Sequence, residues 1–497
     1  MATPRRRNPL RNRPGSSLSG PVLDEKSPIV VLQDQGGPIR ISLSHFGLHT
    51  GKQPSWDDWG MAFQGANAQT LQALEVQTDF VPAKGEIALK LTPGGTVGAV
   101  PLFAPDTRKT SGGLVIKPRF GWSGIGRILH RIGWGATPDL LPFPLVPGSA
   151  REVPPWVIAG PVLRRLEALL NEFRKGFRVC EMVPAFPRGQ ILWGRYINEE
   201  VIRGSFHRLP CRFPDLGPDL LIQSYARWGL EKVRASLLGE AVADSLARTL
   251  LELAEQLLTS VREVPSKEPS AGFLDRLSRI GFAHSEAFLS GLESLRWLQE
   301  DRGLAETAKS DGLAWRIPMP DLFEQWVGQI LKTWSRNFGG IVLSGKEGRT
   351  RMPLSWRPGS SRALSSLVPD FLVRAGDKAY VVDAKYKAHF EKMEFGDWNE
   401  FTEETMETHR QDVHQVLAYA AAQEAKEISA ILAYPVRKSA WDRLLESGRV
   451  IHSAPMTTFG RNLTLNLAAV PLELGDEADL RNVCRADNVR YFSHIWV

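Results

Sequence analysis

The chain has 497 residues, 43% hydrophobic and 23% charged, a composition that predicts two or three folded domains and excludes a disordered or collagen-like chain. A formal net charge of +6 and an isoelectric point near 9.2 are compatible with a polyanionic partner without requiring one. No apolar run is long enough to cross a bilayer, so no membrane association is expected. Three scattered cysteines, Cys180, Cys211 and Cys484, have neither zinc-ligand spacing nor a disulfide framework and fit a cytoplasmic location.

Residues 1–20 open with the basic stretch MATPRRRNPLRNRP, and no apolar signal-peptide core follows it. The segment reads as a flexible arm, for which a nucleic-acid contact and a plain solvated tail both fit. Short β-like runs follow at Ile29–Leu32, Ile39–Ile41, Ile87–Leu91 and Leu114–Arg119. Gly and Pro break them at short intervals, which predicts a β-rich or mixed domain over 21–150. The glycines at 121, 124 and 126 lack the Lys-Ser/Thr of a P-loop and the order of a dinucleotide fingerprint. They read as a tight turn before a helix running from Arg127 to Ile132. No other segment supplies a P-loop, so any nucleotide hydrolysis is expected from another polypeptide.

Residues 151–313 form a predicted helical middle region. Its stripes are Val162, Leu166, Leu169, Leu170 and Phe173, then Leu246, Leu250, Leu253, Leu257 and Val261, then Phe288, Leu292 and Leu295. Pro265–Ser270 reads as a connector, and a charged stretch from Gln299 to Asp311 precedes the last unit, 314–497. There the pattern alternates: a helix over Leu322–Trp334, strands at Ile341–Leu343 and Pro369–Val373, a turn at Ala375–Lys378, and a strand over Tyr380–Tyr386. A helix over Thr405–Ala422 and a strand over Ile428–Tyr434 complete it. That order predicts a mixed sheet flanked by helices, and for the whole chain a mixed α/β class.

The chemistry is concentrated in Pro369-Asp370 and Asp383-Ala384-Lys385. In a strand, residues two apart share a face, which sets Asp383 beside Lys385. The intervening turn folds Asp370 back towards them. Charges set in an apolar ribbon are costly unless paired or metal-bound. Hard Mg2+ takes oxygen ligands, so Asp370, Asp383 and the main-chain carbonyl of Ala384 are expected metal ligands, with Mn2+ expected to substitute. Lys385 is expected to position the attacking water or stabilise transition-state charge in phosphodiester cleavage. A bare Asp-x-Lys also arises by chance on surface strands. Glu324, on the helix opening the last unit, can add a metal carboxylate, and an ordinary solvent-facing glutamate fits the same pattern. Gln415 and Tyr419, one helical turn apart, can line the site with Gln415 near water or phosphate; a routine helix–sheet contact fits too. His389, His409 and His414 lack metal spacing and receive no role.

Together these residues resemble the McrC family, the nuclease subunit of modification-dependent McrBC restriction systems, within the PD-(D/E)xK nucleases. The resemblance is carried by Leu322-Phe323-Glu324, Pro369-Asp370, Asp383-Ala384-Lys385-Tyr386-Lys387, and Gln415 with Tyr419. Gly113–Arg119 and, more loosely, Tyr225–Val233 extend it upstream. It implies a Mg2+-dependent DNA endonuclease in antiviral defence, working with a McrB-like hexameric AAA+ GTPase. That partner would carry DNA recognition and nucleotide hydrolysis, and the region 21–150 would dock on it and stimulate it. Two other readings stay open: an autonomous nuclease of repair or recombination, and a catalytically silent activator of a motor.

Overall fold

Val97–Leu102 and Leu114–Ile116 are unbroken apolar runs, the pattern of strands covered on both faces. In the computed structural model they lie in Thr96–Phe103 and Thr110–Lys117, at the centre of a five-stranded sheet. The structure describes residues 29–42, 56–83, 86–133, 138–149, 154, 156–173, 176–217, 220–239, 241, 245–279, 285–299, 312–357, 364–396, 403–458 and 461–472. The basic arm, Cys484 and most of the 299–311 stretch lie outside them.

The sheet order is Ile29–Gln33, Thr110–Lys117, Thr96–Phe103, Trp315–Pro318 and Asp139–Leu140. Ile29–Gln33 pairs parallel with Thr110–Lys117, and the other pairings are antiparallel. Residues 315–318, expected to open the last unit, therefore complete the first sheet. Beside it lies a small antiparallel sheet of Ile39–Ser42, Glu86–Thr92 and Gln77–Ala83, with the helix Trp56–Ala73 packed against both.

The helix expected from Arg127 begins earlier, spanning Trp122–Arg131. Gly121 caps it at φ 74°, a left-handed value glycine adopts without steric cost. Gly126 lies inside that helix, where an added Cβ would stand 2.6 Å from Leu246. The glycine cluster thus serves a turn and a close helix contact.

Helices Trp156–Glu172, Leu220–Leu238, Ser245–Ser260, Ala271–Arg279 and Glu286–Gln299 build the middle region. Leu163, Leu166, Leu169, Leu250, Leu292 and Leu295 are buried between them. The all-helical expectation fails at 176–217, where Gly176–Met182, Cys211–Gly217 and Gln190–Ile191 form an antiparallel sheet. This unit contributes few core residues, Cys211 and Phe213 among them. The alternation of its strands is confined, among the described residues, to buried Cys211 and Phe213 with exposed Arg212 and Pro214, and a proline inside so short a run hides a strand.

The last unit is a six-stranded mixed sheet in the order Ile341–Ser344, Phe371–Ala375, Lys378–Ala384, Glu427–Val436, Arg461–Pro471, Ile451–Thr458. The first three run antiparallel; Lys378–Ala384, Glu427–Val436 and Arg461–Pro471 run parallel. Helix Glu403–Ala421 lies on the crossover that a parallel pair needs. Helix Met319–Ser335 follows Pro318 directly, and its buried Trp326 indole donates to the Pro471 carbonyl at 3.1 Å. No helix among the described residues is long and apolar enough to cross a membrane.

The first sheet closes only because Gly98 has no side chain: a Cβ there would stand 2.2 Å from the Trp315 carbonyl oxygen. Gly98→Ala is expected to destabilise the protein by about 1–3 kcal/mol, the usual cost of overpacking. A urea-denaturation midpoint equal to that of the wild type would show that Trp315–Pro318 does not dock on this strand.

Candidate active site

Asp370 stands just before the strand Phe371–Ala375, and the pairing of Phe371 with Val382 sets it across from Asp383. Its backbone carbonyl accepts from Gly345 N–H at 2.8 Å. Its side-chain Oδ2 accepts from Ala384 N–H, also at 2.8 Å. Asp383 lies near the end of the strand Lys378–Ala384, only 2% exposed, behind buried Tyr380, Val381 and Val382.

Lys385 lies just beyond that strand, which ends before the expected Tyr386. Its backbone N–H donates to Ala433 at 2.8 Å. Its Nζ reaches Asp383 Oδ2 at 2.7 Å and Gln415 Oε1 at 2.9 Å. Asp383 Oδ2 is buried, and the ion pair with the Lys385 ammonium is the contact that faces it. Gln415 in turn donates to the Tyr419 hydroxyl at 2.8 Å. The structure therefore brings together Asp370, Asp383, Lys385, Gln415 and Tyr419. Gln415 is exposed, so the cluster opens to solvent on the side of helix Glu403–Ala421.

The charges act on one another. Burial, then the Asp383 charge, pushes the Asp370 carboxyl up to about 7. Burial alone would lower the Lys385 ammonium, but Asp383 and the neighbouring acids outweigh it and hold it above its ordinary range. Glu324, on helix Met319–Ser335, is raised by burial against the pull of Lys346, which it meets at 3.1 Å. It is near enough for its charge to act on Asp370. Yet no group of three or more His, Cys, Asp or Glu side chains among the described residues is gathered to hold a metal. Glu324 thus sits on the rim, beside a cleft of about 300 Å3 that Gln325, Lys332, Lys346 and Phe371 also line.

Several contacts around the site could not be read in the sequence. Lys387 Nζ contacts both oxygens of buried Asp412 at 2.8 and 2.7 Å. Asp412 lies three residues before Gln415, a helical spacing that could have disclosed it. Lys346 comes from the turn after Ile341–Ser344 and has no such signal. Tyr386 donates to Asp34 Oδ2 at 2.5 Å across most of the chain. Burial pushes the Asp34 carboxyl up against the opposing pull of Arg119, and burial and the Asp34 charge raise Tyr386 well above its ordinary value. His389 is buried 3.9 Å from Asp412, and burial, then Lys387, lowers it to about 4. His409 Nδ1 lies 3.2 Å from the Tyr434 hydroxyl, and His414 is exposed.

A family model described as "McrBC 5-methylcytosine restriction system component" matches residues 156–435. No curated protein matches the chain. Among solved structures, the chain is similar to a refined half-complex from the tetradecameric assembly of Thermococcus gammatolerans McrB AAA+ hexamers with bound McrC. Identity there is 14%, covering 93% of this chain and 99% of that one, with a TM-score of 0.39. A cryo-EM structure of the Thermococcus gammatolerans McrBC complex matches at 13% identity over 61% of this chain and 87% of that one, with a TM-score of 0.25.

The Asp370 value of about 7 lies above the 3.8 of an ordinary aspartate. The folded chain therefore holds an extra proton between those two values, and stability present below the lower one is lost as pH rises through the upper one. Asp370→Asn has no such loss. In EDTA, its melting temperature relative to wild type is expected to climb from about pH 4 to about pH 8 and then level off. A difference that stays constant across that range would refute the coupling.

Proposed function

The chain belongs to the McrBC family of restriction-system components, and from that premise we propose that it is the nuclease subunit of such a system, hydrolysing DNA phosphodiester bonds at a PD-(D/E)xK site. The observation that carries this reading is the convergence of Asp370, Asp383 and Lys385 at the ends of two paired strands in the last unit.

The site fits a divalent cation by its own electrostatics. Asp383 is buried and Asp370 half-buried, close enough for the charge of Asp383 to raise the pKa of Asp370. The buried Oδ2 of Asp383 is faced by one cation, the Lys385 ammonium. A cation held by oxygen ligands relieves both carboxylates. Asp370, Asp383 and the Ala384 carbonyl would hold Mg2+, or Mn2+ in its place, with Glu324 reaching in from the rim. When bound, the ion lowers the pKa of its water and offsets charge on the phosphate. Lys385 is placed to orient that water and to stabilise the oxyanion charge that develops as the bond to the leaving strand breaks. Gln415, which holds the lysine from the solvent side, orients the same ammonium.

A DNA substrate agrees with the surface beside the site. Arg349, Arg351 and Arg357 are exposed next to half-exposed Trp356. Buried Thr350, between the first two arginines, donates to the Pro369 carbonyl at 2.7 Å, one residue from Asp370. Cations there would meet the phosphates flanking the cleavage point.

The partner in this reading is a McrB-like hexameric AAA+ GTPase, in a cytoplasmic defence system. The 176–217 unit offers the better docking surface than the expected region 21–150. Val179, Met182, Phe186, Trp193, Ile197, Ile202 and Phe206 are all exposed on it, Phe186 at 83% and Ile202 at 78%. A run of large apolar side chains left in water marks an interaction site.

Purified protein with Mg2+ and its ring-forming partner is expected to cut plasmid DNA. Asp383→Ala and Lys385→Ala should each lower the rate by on the order of 100-fold or more. Cutting that persists in both variants would sink the assignment, and cutting without the partner would identify an autonomous nuclease. Replacing Phe186 and Ile202 together by Ser is expected to abolish co-purification with the partner and stimulation of its GTPase at an unchanged melting temperature. Unimpaired stimulation would remove the 176–217 unit as the docking surface.

A further inference from the structure

Asp34 is 0% exposed, yet it belongs to the first sheet and reaches the site in the last unit. It follows the strand Ile29–Gln33, and its N–H donates to the Lys117 carbonyl at 3.0 Å. Its Oδ1 accepts from Arg119 N–H and its Oδ2 from the Tyr386 hydroxyl, both at 2.5 Å. Arg119, also buried, approaches Oδ2 at 3.8 Å. Its guanidinium stacks on the rings of Phe120 and Tyr386, 4.6 and 4.7 Å from their centroids.

This cluster is poorly explained by stability. A buried ion pair gains little over well-packed apolar side chains, and Arg119 Nε and Nη2 are buried without an aligned acceptor. Such a cluster does fix one geometry. Tyr386 lies between Lys385, whose N–H is tied to Ala433, and Lys387, whose ammonium is tied to Asp412. Lys387 N–H also donates back to the Lys385 carbonyl at 2.8 Å, closing a tight turn. The segment 385–387 is thus pinned at three points: to the strand Glu427–Val436, to the first sheet and to the helix Glu403–Ala421. Only the middle pin comes from outside the last unit.

We propose that Asp34 and Arg119 are positioning residues: by anchoring Tyr386 they set the placement of Lys385, so that the first sheet controls the cleavage site. As a statement about catalysis this rests on the nuclease reading above; as a statement about the backbone at 385–387 it does not. It also assigns a task to the segment Gly113–Arg119, whose last residue is the arginine of the cluster. A partner that shifts the first sheet would act on Lys385 by this route.

The test uses the full chain with Tyr386→Phe, which keeps the ring packing, Asp34→Ala, the double variant, and Asp34→Asn, which keeps an acceptor oxygen for the hydroxyl. Backbone amide exchange is followed by mass spectrometry, and plasmid cleavage with Mg2+ and partner is resolved into kcat and KM. Tyr386→Phe and Asp34→Ala are expected to speed exchange at Lys385 and Lys387 while leaving Glu427–Val436 protected. Each should lower kcat by about 10- to 100-fold, the cost of misplacing a reacting group by an ångström or less, with KM unchanged. The double variant should be no worse than the poorer single one, and Asp34→Asn should retain most of the rate. Exchange at wild-type rates, or a loss confined to KM, would overturn the proposal. Faster exchange in the variants of a protein that never cuts DNA would uphold the anchor and overturn the nuclease reading alone.

Discussion

Two aspartates forced together in an apolar sheet set the terms for the last unit. Asp370 and Asp383 face each other across antiparallel strands whose neighbouring positions, Phe371, Val381 and Val382, are buried. Burial, then the Asp383 charge, opposes ionisation of Asp370. The surrounding chain answers with donors and cations. Ala384 N–H serves Asp370, Lys385 faces Asp383, and Lys346 reaches Glu324 from the next turn. Asp383 Oδ2, buried and faced by the Lys385 ammonium, is the oxygen on which the proposed cation site turns.

A pair of charges with that much at stake needs a rigid frame, and the frame extends beyond the last unit. Trp315–Pro318 belongs to the first sheet and runs straight into helix Met319–Ser335, which carries Phe323 and Glu324. Trp122 packs against both Trp156 and Trp315, joining the first sheet to the middle helices. Buried residues from all three regions form one continuous core. The 176–217 unit differs in having its large apolar side chains outward.

What could be read from the sequence follows how each feature is encoded. Val162, Leu166 and Leu169 repeat at helical spacing because one face of their helix is buried, and the periodicity survives without knowledge of the partner. Asp383 and Lys385 were legible for the same reason: two residues apart, next to an apolar strand. The strand itself ends earlier than its pattern suggests, because Lys385 N–H turns to Ala433 and the tight turn at 385–387 begins there. Trp315–Pro318 could not be placed, since membership of a sheet depends on a partner strand far away in the chain. The 176–217 sheet escaped because its alternation, buried Cys211 and Phe213 with exposed Arg212 and Pro214, is short and holds a proline. Asp34, Arg119 and Lys346 escaped because their partners are defined only by the fold.

The separated segments that carry the family likeness are neighbours in space. Phe120, beside Arg119, and Phe323, beside Glu324, each bring a ring centroid to 6.1 Å from that of Tyr386. Tyr386 sits between Lys385 and Lys387, and those two lysines reach Gln415 and Asp412 on one helix. A tyrosine ring at this junction supplies packing area on both faces and one polar tip. The tip needs a buried acceptor, and Asp34 is that acceptor. Motif residues that look independent along the chain therefore constrain one another through a single side chain. Under the proposed reading, a substitution at Arg119 or Phe323 would be felt at Lys385 through Tyr386, so the candidate site extends to the first sheet.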